Sequence, residues 1–287
     1  MLRRNSLILA TAALVATVGG GLSLFNQAQG QKMQEVKFDL GKNIVETARA
    51  SGVPQFQTRD IAGLVSYGVT AIPPQVALRY IRAGYEIRWQ PVFAMTMYSN
   101  KERDPGLAVQ SVDLQLGQRF ETHEAAQTFV EQTLAQFVQG KWVRYHEPEW
   151  TTLLTGRSSM LDEAGRIADE LTTVDPAYKI SPEDWRSAMR HGIIWRWSGD
   201  GVLATLTVNN DGSQTGKADY NIELQFDLLD VKLKRDAANL ARDLKEGDAK
   251  GWGSTAKHEA DKKAAQARNK VLEENAVKRG DSVVTAR

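Results

Sequence analysis

From Tyr220 to Leu228 the chain alternates without a break. Tyr220, Ile222, Leu224, Phe226 and Leu228 are apolar, while Asn221, Glu223, Gln225 and Asp227 are polar. A strict period of two describes a strand with one buried and one wet face, as in an antiparallel sheet covered on one side. Two further strands are expected just before it, Ile193 to Ser198 and Val202 to Val208, joined by the turn Gly199-Asp-Gly201. Val92 to Tyr98 is β-prone and Lys101 to Gly106 is turn chemistry. Beyond that turn Val112, Leu114 and Leu116 alternate with Ser111, Asp113 and Gln115, so the two runs predict a hairpin.

A helical period appears in two places. Ala126, Phe129, Val130, Leu134, Phe137 and Val138 fall on one face of a helix that Thr122 can cap and Gly140 can end. Ser181-Pro-Glu-Asp184 is a second start, with a capping hydroxyl, proline at the first helical position and acids in the first turn. That helix is expected to end near His191-Gly192. Asp60 to Tyr67 and Gln75 to Ala83 read as two short helices separated by Pro73 and Pro74. Trp142 to Tyr145 and Thr151 to Leu154 are short strand candidates. Ser158 to Leu161 and Arg166 to Ala168 flank a turn at Asp162-Glu-Ala-Gly165 and predict another hairpin.

After Asp230 the pattern becomes charged and alanine-rich. It predicts helices over Val231 to Lys245 and Ala256 to Val277, with Trp252 in the Gly247 to Gly253 link. The second helix has only Val271, Leu272 and Val277 as large apolar residues, so a partly disordered tail is expected. The elements together predict an α+β fold: an antiparallel sheet, with a loose ββα repeat in its order, and helices packed on one face. An N-terminal export or anchor helix and a charged C-terminal helical tail complete it. The divisions are 1–30 for export or anchoring, 31–58 as a tether, 59–231 as the globular domain and 232–287 as the tail.

The N-terminal segment carries the strongest functional signal. Arg3 and Arg4 precede an uncharged apolar run from Leu7 to Phe25, the pattern that enters the secretory machinery with its basic end in the cytoplasm. Small residues at Ala28 and Gly30 suit cleavage before Gln31. The run also reaches roughly 28 Å as a helix, enough for a retained anchor. The expected location is the periplasm, soluble or held at the inner membrane by residues 7–25. The chain has no cysteine, which removes lipoprotein anchoring, disulfides and thiol chemistry.

Charge divides the chain further. Residues 232–287 carry 14 Lys/Arg against 9 Asp/Glu, net +5, whereas the whole chain is +1 and residues 1–231 therefore −4. A net charge near zero in an exported chain argues against nucleic acid as a partner.

Catalytic motifs fail one by one. His123-Glu124 lacks a second histidine at Gln127, where a zinc-protease helix needs one. Asn209-Asn-Asp211-Gly212 resembles a calcium loop, but Thr207 and Ala218 stand at its ligand ends. Gly140-Lys141 is followed by Trp142 where a phosphate loop needs Ser or Thr, and Ser158 lacks the second small residue of a nucleophile elbow. His191 suits a helix C-terminus.

The candidate binding residues are His146, Glu147 and Glu149, an imidazole with two carboxylates beside Trp150, and the strand triplet Trp195, Arg196 and Trp197. The triplet can serve as an aromatic platform, or its tryptophans can be core. Arg88, Arg157 and Arg196 can form a polar face for an anionic partner. No cofactor is implied.

These residues point to an exported, non-enzymatic envelope protein whose partner is another envelope or exported protein. Such a module is an assembly or adaptor factor of an envelope or secretion machine, or an immunity protein against an exported toxin. Two alternatives stay open. One is a hydrolase of cell wall or glycan using paired carboxylates such as Asp162/Glu163 or Glu183/Asp184, for which sequence cannot show facing geometry. The other is a glycan or small-ligand binding module built on Trp195 and Trp197.

Overall fold

The computed structural model describes residues 35–116, 120–212 and 216–284. Residues 1–30, read as the export or anchor segment, lie outside them. Among the described residues no helix is long and apolar enough to cross a membrane.

The fold is α+β. Eight strands form an antiparallel sheet in the order β2-β3-β6-β7-β11-β10-β9-β8. They are β2 (Gln57–Ile61), β3 (Leu64–Val69), β6 (Ala94–Asn100), β7 (Ser111–Gln115), β8 (Val143–Arg144), β9 (Ile193–Gly199), β10 (Val202–Asn210) and β11 (Tyr220–Leu228). β11 therefore sits at the centre, paired to β7 on one side and β10 on the other. Its alternation is realised from Tyr220 to Phe226, with Ile222, Leu224 and Phe226 buried and Asn221 exposed, and breaks at the end, where Asp227 is buried and Leu228 half-buried. A second sheet of three strands, β1 (Glu35–Phe38), β4 (Ala77–Tyr80) and β5 (Ile87–Trp89), packs against the same core.

Helix α2 (His123–Gln139) starts where the sequence predicts, with the Thr122 hydroxyl accepting from Ala125 N–H and Gly140 at its end. Its buried face, Ala126, Val130, Leu134 and Phe137, closes the core. There Phe137 stacks on Trp197 with ring centroids 3.9 Å apart and planes within 6°. Helix α3 (Pro182–Ala188) begins at Ser181, whose hydroxyl accepts from Asp184 N–H, and it buries Trp185. Tyr80 of the small sheet stacks on Phe226 of β11 at 4.7 Å, joining the two sheets through aromatic rings.

Several expectations are corrected. Residues 35–58 are not a tether: β1 and helix α1 (Ile44–Ala50) lie here, and Val36, Phe38, Leu40 and Ile44 are core. The segment reads as polar because its buried residues are few and dispersed. Residues 60–67 form the β2–β3 hairpin, not a helix. Ile61 pairs with Leu64 across Ala62 and Gly63, both at positive φ, which fits a two-residue turn. The apolar residues at 61, 64 and 65 mimic helical spacing. Residues 75–83 contain β4, where Leu78 and Tyr80 are buried around exposed Arg79. With strands in these places, the ββα repeat disappears from the order of elements. The segment after Gly156 is a 3-10 turn (Gly156–Met160), and the expected hairpin shrinks to one bridge, Leu161 to Ile167.

The tail is folded through residue 284. Helices α4 (Leu229–Ala249) and α5 (Ser254–Arg279) form a hairpin whose return arm is bonded to the body. Lys262 pairs with Glu149 at 2.6 Å, Glu273 accepts from the Thr152 hydroxyl at 2.7 Å, and Asn275 donates to the Glu163 carbonyl at 3.3 Å. Beyond α5, Thr155 N–H donates to the Ser282 carbonyl and Val284 N–H to the Leu153 carbonyl, while the Asp281 carboxylate accepts from Ser158 N–H. These contacts are polar or made by small residues such as Ala265 and Ala276, so hydrophobic patterning does not reveal them.

Arg82 ties three segments together. It donates to Asp39 Oδ1 at 3.1 Å, to the Leu40 carbonyl at 3.0 Å and to the Asp200 carbonyl at 2.6 Å. The β9–β10 turn so held includes Gly201, whose carbonyl accepts from Leu229 N–H and fixes the first residue of α4.

Candidate functional site

The sequence-predicted residues separate into three places. Trp195 and Trp197 are 2% exposed and belong to the core, which removes the aromatic platform. The face they share is the apolar face of the sheet. Arg196 points to the opposite, wet face and is half-buried. Nor do the arginines converge. Arg157 makes a two-point ion pair with Asp184 at 2.8 and 3.0 Å, and Arg88 lies on the small sheet, bonded to Gln90.

His146, Glu147 and Glu149 lie on one loop, and that loop faces α5. Glu149 holds Lys262, and the neighbouring Trp150 ring contacts His258 with centroids 5.2 Å apart. Burial and the Arg144 charge lower the His146 pKa, so the imidazole is neutral at pH 7. No group of three metal-type ligands occurs among the described residues. His146 instead lines a groove of about 860 Å³ bounded by its loop, α5 and the C-terminal segment.

The helical hairpin is the other notable surface. Along the whole length of α4 the only buried residue is Gly247. Leu233 and Leu240 stand 47% and 42% exposed, and Trp252 at the tip of the hairpin is 69% exposed. At seven-residue spacing the two leucines share a face of the helix. Gly247 is buried because Ser254 crowds it, and a Cβ there would meet the serine hydroxyl at 1.9 Å. The turn is closed on one side, then, while the stripe leading to it is open.

Sequence reasoning missed a largely buried acidic cluster on the polar face of the sheet. Asp113 on β7 lies across from Gln225 on β11, and Ser111 across from Asp227. Burial first, and then the negative charges of Glu223 and Asp227, push the Asp113 carboxyl up to about 7. Burial also raises Glu223 and Asp227, the latter against the opposing pull of Lys232 and Arg235. Alternation puts these acids on the polar face, but only the β7–β11 register makes them neighbours.

The sequence's own carboxylate pairs are engaged elsewhere. Asp162 caps its turn and binds Arg166 at 2.7 Å, and Asp184 holds Arg157.

The Asp113 cluster makes stability depend on pH. Its carboxyl keeps its proton in the folded chain up to about pH 7 but loses it near pH 4 when unfolded. Asp113 therefore contributes stability at low pH that is lost as pH rises through 7. Asp113→Asn is expected to raise the melting temperature by about 5 °C at pH 8 and to leave it unchanged near pH 4. Thermal melts across that range check it, and an equal shift at both pH values refutes the assignment.

Compared with protein-family models, curated proteins and solved structures, the chain matches none.

Proposed function

We propose that this protein is an exported, non-enzymatic interaction module of a bacterial envelope, docking another envelope or exported protein on the outer face of α4. One observation carries the reading: a long amphipathic helix, joined to a well-packed sheet, leaves its leucine stripe and the adjoining Trp252 in solvent. Aligned exposed apolar side chains on a folded protein mark interaction surfaces, and tryptophan is a preferred anchor in them. The export pattern at residues 3–25 supports the compartment. Assembly or adaptor factor of an envelope machine, and immunity protein against an exported toxin, are the two roles of this kind.

The test is crosslinking of the full chain in cells, comparing wild type with the Leu233→Ser/Leu240→Ser/Trp252→Ser variant. Recovery of the crosslinked partner is expected to fall at least ~10-fold, since one buried anchor at an interface contributes about 2 kcal/mol. The melting temperature stays within about 2 °C, because exposed side chains contribute little to folding. Undiminished crosslinking removes α4 from the interface.

A carboxylate-dependent hydrolase is the second reading, and Asp113 favours it as an acid that titrates near neutrality. Against it, Asp227 is only 3% exposed and meets Gln225 and Ser111 rather than an open cleft. Turnover of cell-wall fragments that disappears in Asp113→Asn would restore it.

A further inference from the structure

The groove beside α5 contains an unpaired polar group. Asn269 is 7% exposed, lines the groove, and its carboxamide makes no hydrogen bond among the described residues. Its carboxamide is not sealed from solvent, so two donors and an acceptor are available to a ligand at the groove. Lys263 and Lys270 line the groove on either side of it. At seven residues apart they are two turns along one face of α5, about 10.5 Å.

Neither lysine has an ion pair among the described residues, in contrast to Lys262, which Glu149 holds at 2.6 Å. The groove's acid, Glu273, already accepts from the Thr152 hydroxyl. Its imidazole, His146, is neutral at pH 7. The net field of the lining is therefore positive. The opposite wall is formed by Pro148 and Val283. Val283 pairs with Leu154 in an antiparallel bridge whose two hydrogen bonds are made by Ser282 and Val284. Its own N–H and C=O consequently point away from Leu154, the outer edge of a short strand.

We propose that this groove binds an extended, acidic segment of a partner protein, with carboxylates on Lys263 and Lys270 and a peptide group on Asn269. On one face of an extended chain, side chains two apart are separated by about 7 Å and those four apart by about 13 Å. That range brackets the lysine spacing, and flexible lysine stems cover the difference. Amide, valine and proline suit a peptide. A sugar chain would call for a broad aromatic platform, and no Trp, Tyr or Phe lines the groove. The class of partner rests on the interaction-module reading; the groove is separate from the α4 stripe.

The experiment titrates full-length protein into a fluorescein-labelled octapeptide of alternating glutamate and valine, read by anisotropy. A lysine-valine octapeptide and a labelled oligogalacturonate are run alongside. The glutamate peptide is expected to bind saturably, and Lys263→Glu/Lys270→Glu to weaken it at least 10-fold. The control Lys257→Glu/Lys278→Glu, on exposed α5 positions outside the groove, leaves it within 2-fold. In 15N spectra the Asn269 side-chain amide shifts on binding.

The proposal is overturned if the glutamate peptide does not saturate, if both charge-reversed pairs weaken it equally, or if the Asn269 amide stays still. It is also overturned if only the oligogalacturonate binds, which makes the groove a glycan site. Leu233→Ser/Leu240→Ser/Trp252→Ser, which weakens docking on α4 if the proposed function holds, leaves peptide binding intact. The two ideas thus fail independently.

Discussion

Trp197→Ala lowers the melting temperature by roughly 10 °C, the largest single effect expected in this chain. The ring is 2% exposed and lies flat on Phe137, which packs in turn on Trp142 with centroids 5.4 Å apart. Trp142 continues the aromatic chain to Tyr80. Removing the indole opens a cavity where α2, the eight-stranded sheet and the small sheet meet, and truncating a buried aromatic costs about 3–5 kcal/mol. Calorimetry with the wild type alongside measures it. A shift below 3 °C would mean the three layers do not share one core. The same experiment separates structure from binding: if Trp197 were a ligand platform, its loss would change affinity more than stability.

Arg82→Met is the second large effect, at about 3 kcal/mol. The variant keeps an apolar stem of similar length but removes the bonds to Asp39, Leu40 and Asp200, leaving the Asp39 carboxylate, 18% exposed, without its cation. Asp200 sits in the left-handed region at φ 47°, and Gly201 follows at φ 74°, so the β9–β10 turn needs this outside hold. The local result is sharper than the global one. Hydrogen exchange is expected to accelerate first at residues 199–201 and at Leu229, whose amide depends on Gly201. Uniform acceleration over the whole sheet would show that Arg82 supports the core in general and not this joint.

The half of the chain with strong periodicity was readable from sequence, and the half that depends on partners was not. β11 and α2 announce themselves because every second residue, or every third and fourth, faces one core. α2 and α3 also carry their caps, Thr122 and Ser181, in the local sequence. β1 and β4 do not. Each is four residues long, and each makes sense only beside the other, 42 residues away in the chain, as in the pairing of Val36 with Leu78. Ile61, Leu64 and Val65 fit a helix and a hairpin equally, and the positive φ of both Ala62 and Gly63 decides for the hairpin, although Gly63 alone was a weak turn signal.

The site divides in the same way. His146, Glu147 and Glu149 were legible as a cluster on a loop, and the loop does border a groove. That Asn269, Lys263 and Lys270 form its other wall follows from α5 folding back over 120 residues of intervening chain, which no local pattern encodes. Trp195 and Trp197 were ambiguous by nature, since one alternation serves a buried face and a binding face alike. Asp113 and Asp227 looked like ordinary wet-face acids until the register put them together.

The helical hairpin has a mechanical consequence. Its two ends enter the body by unequal routes. α4 continues directly from β11, the central strand, which is bonded along both edges. α5 ends in the clasp of residues 281–284, held to residues 153–158 by a few backbone and carboxylate bonds. A pull on the tip at Trp252 therefore loads one rigid post and one short zipper. The bonds from α5 to Glu149, Thr152 and Glu163, together with the clasp, are expected to give before the sheet does, and the arm then swings about its β11 joint. Any partner that draws on this arm is coupled to a built-in weak link at the C-terminal clasp, next to the groove.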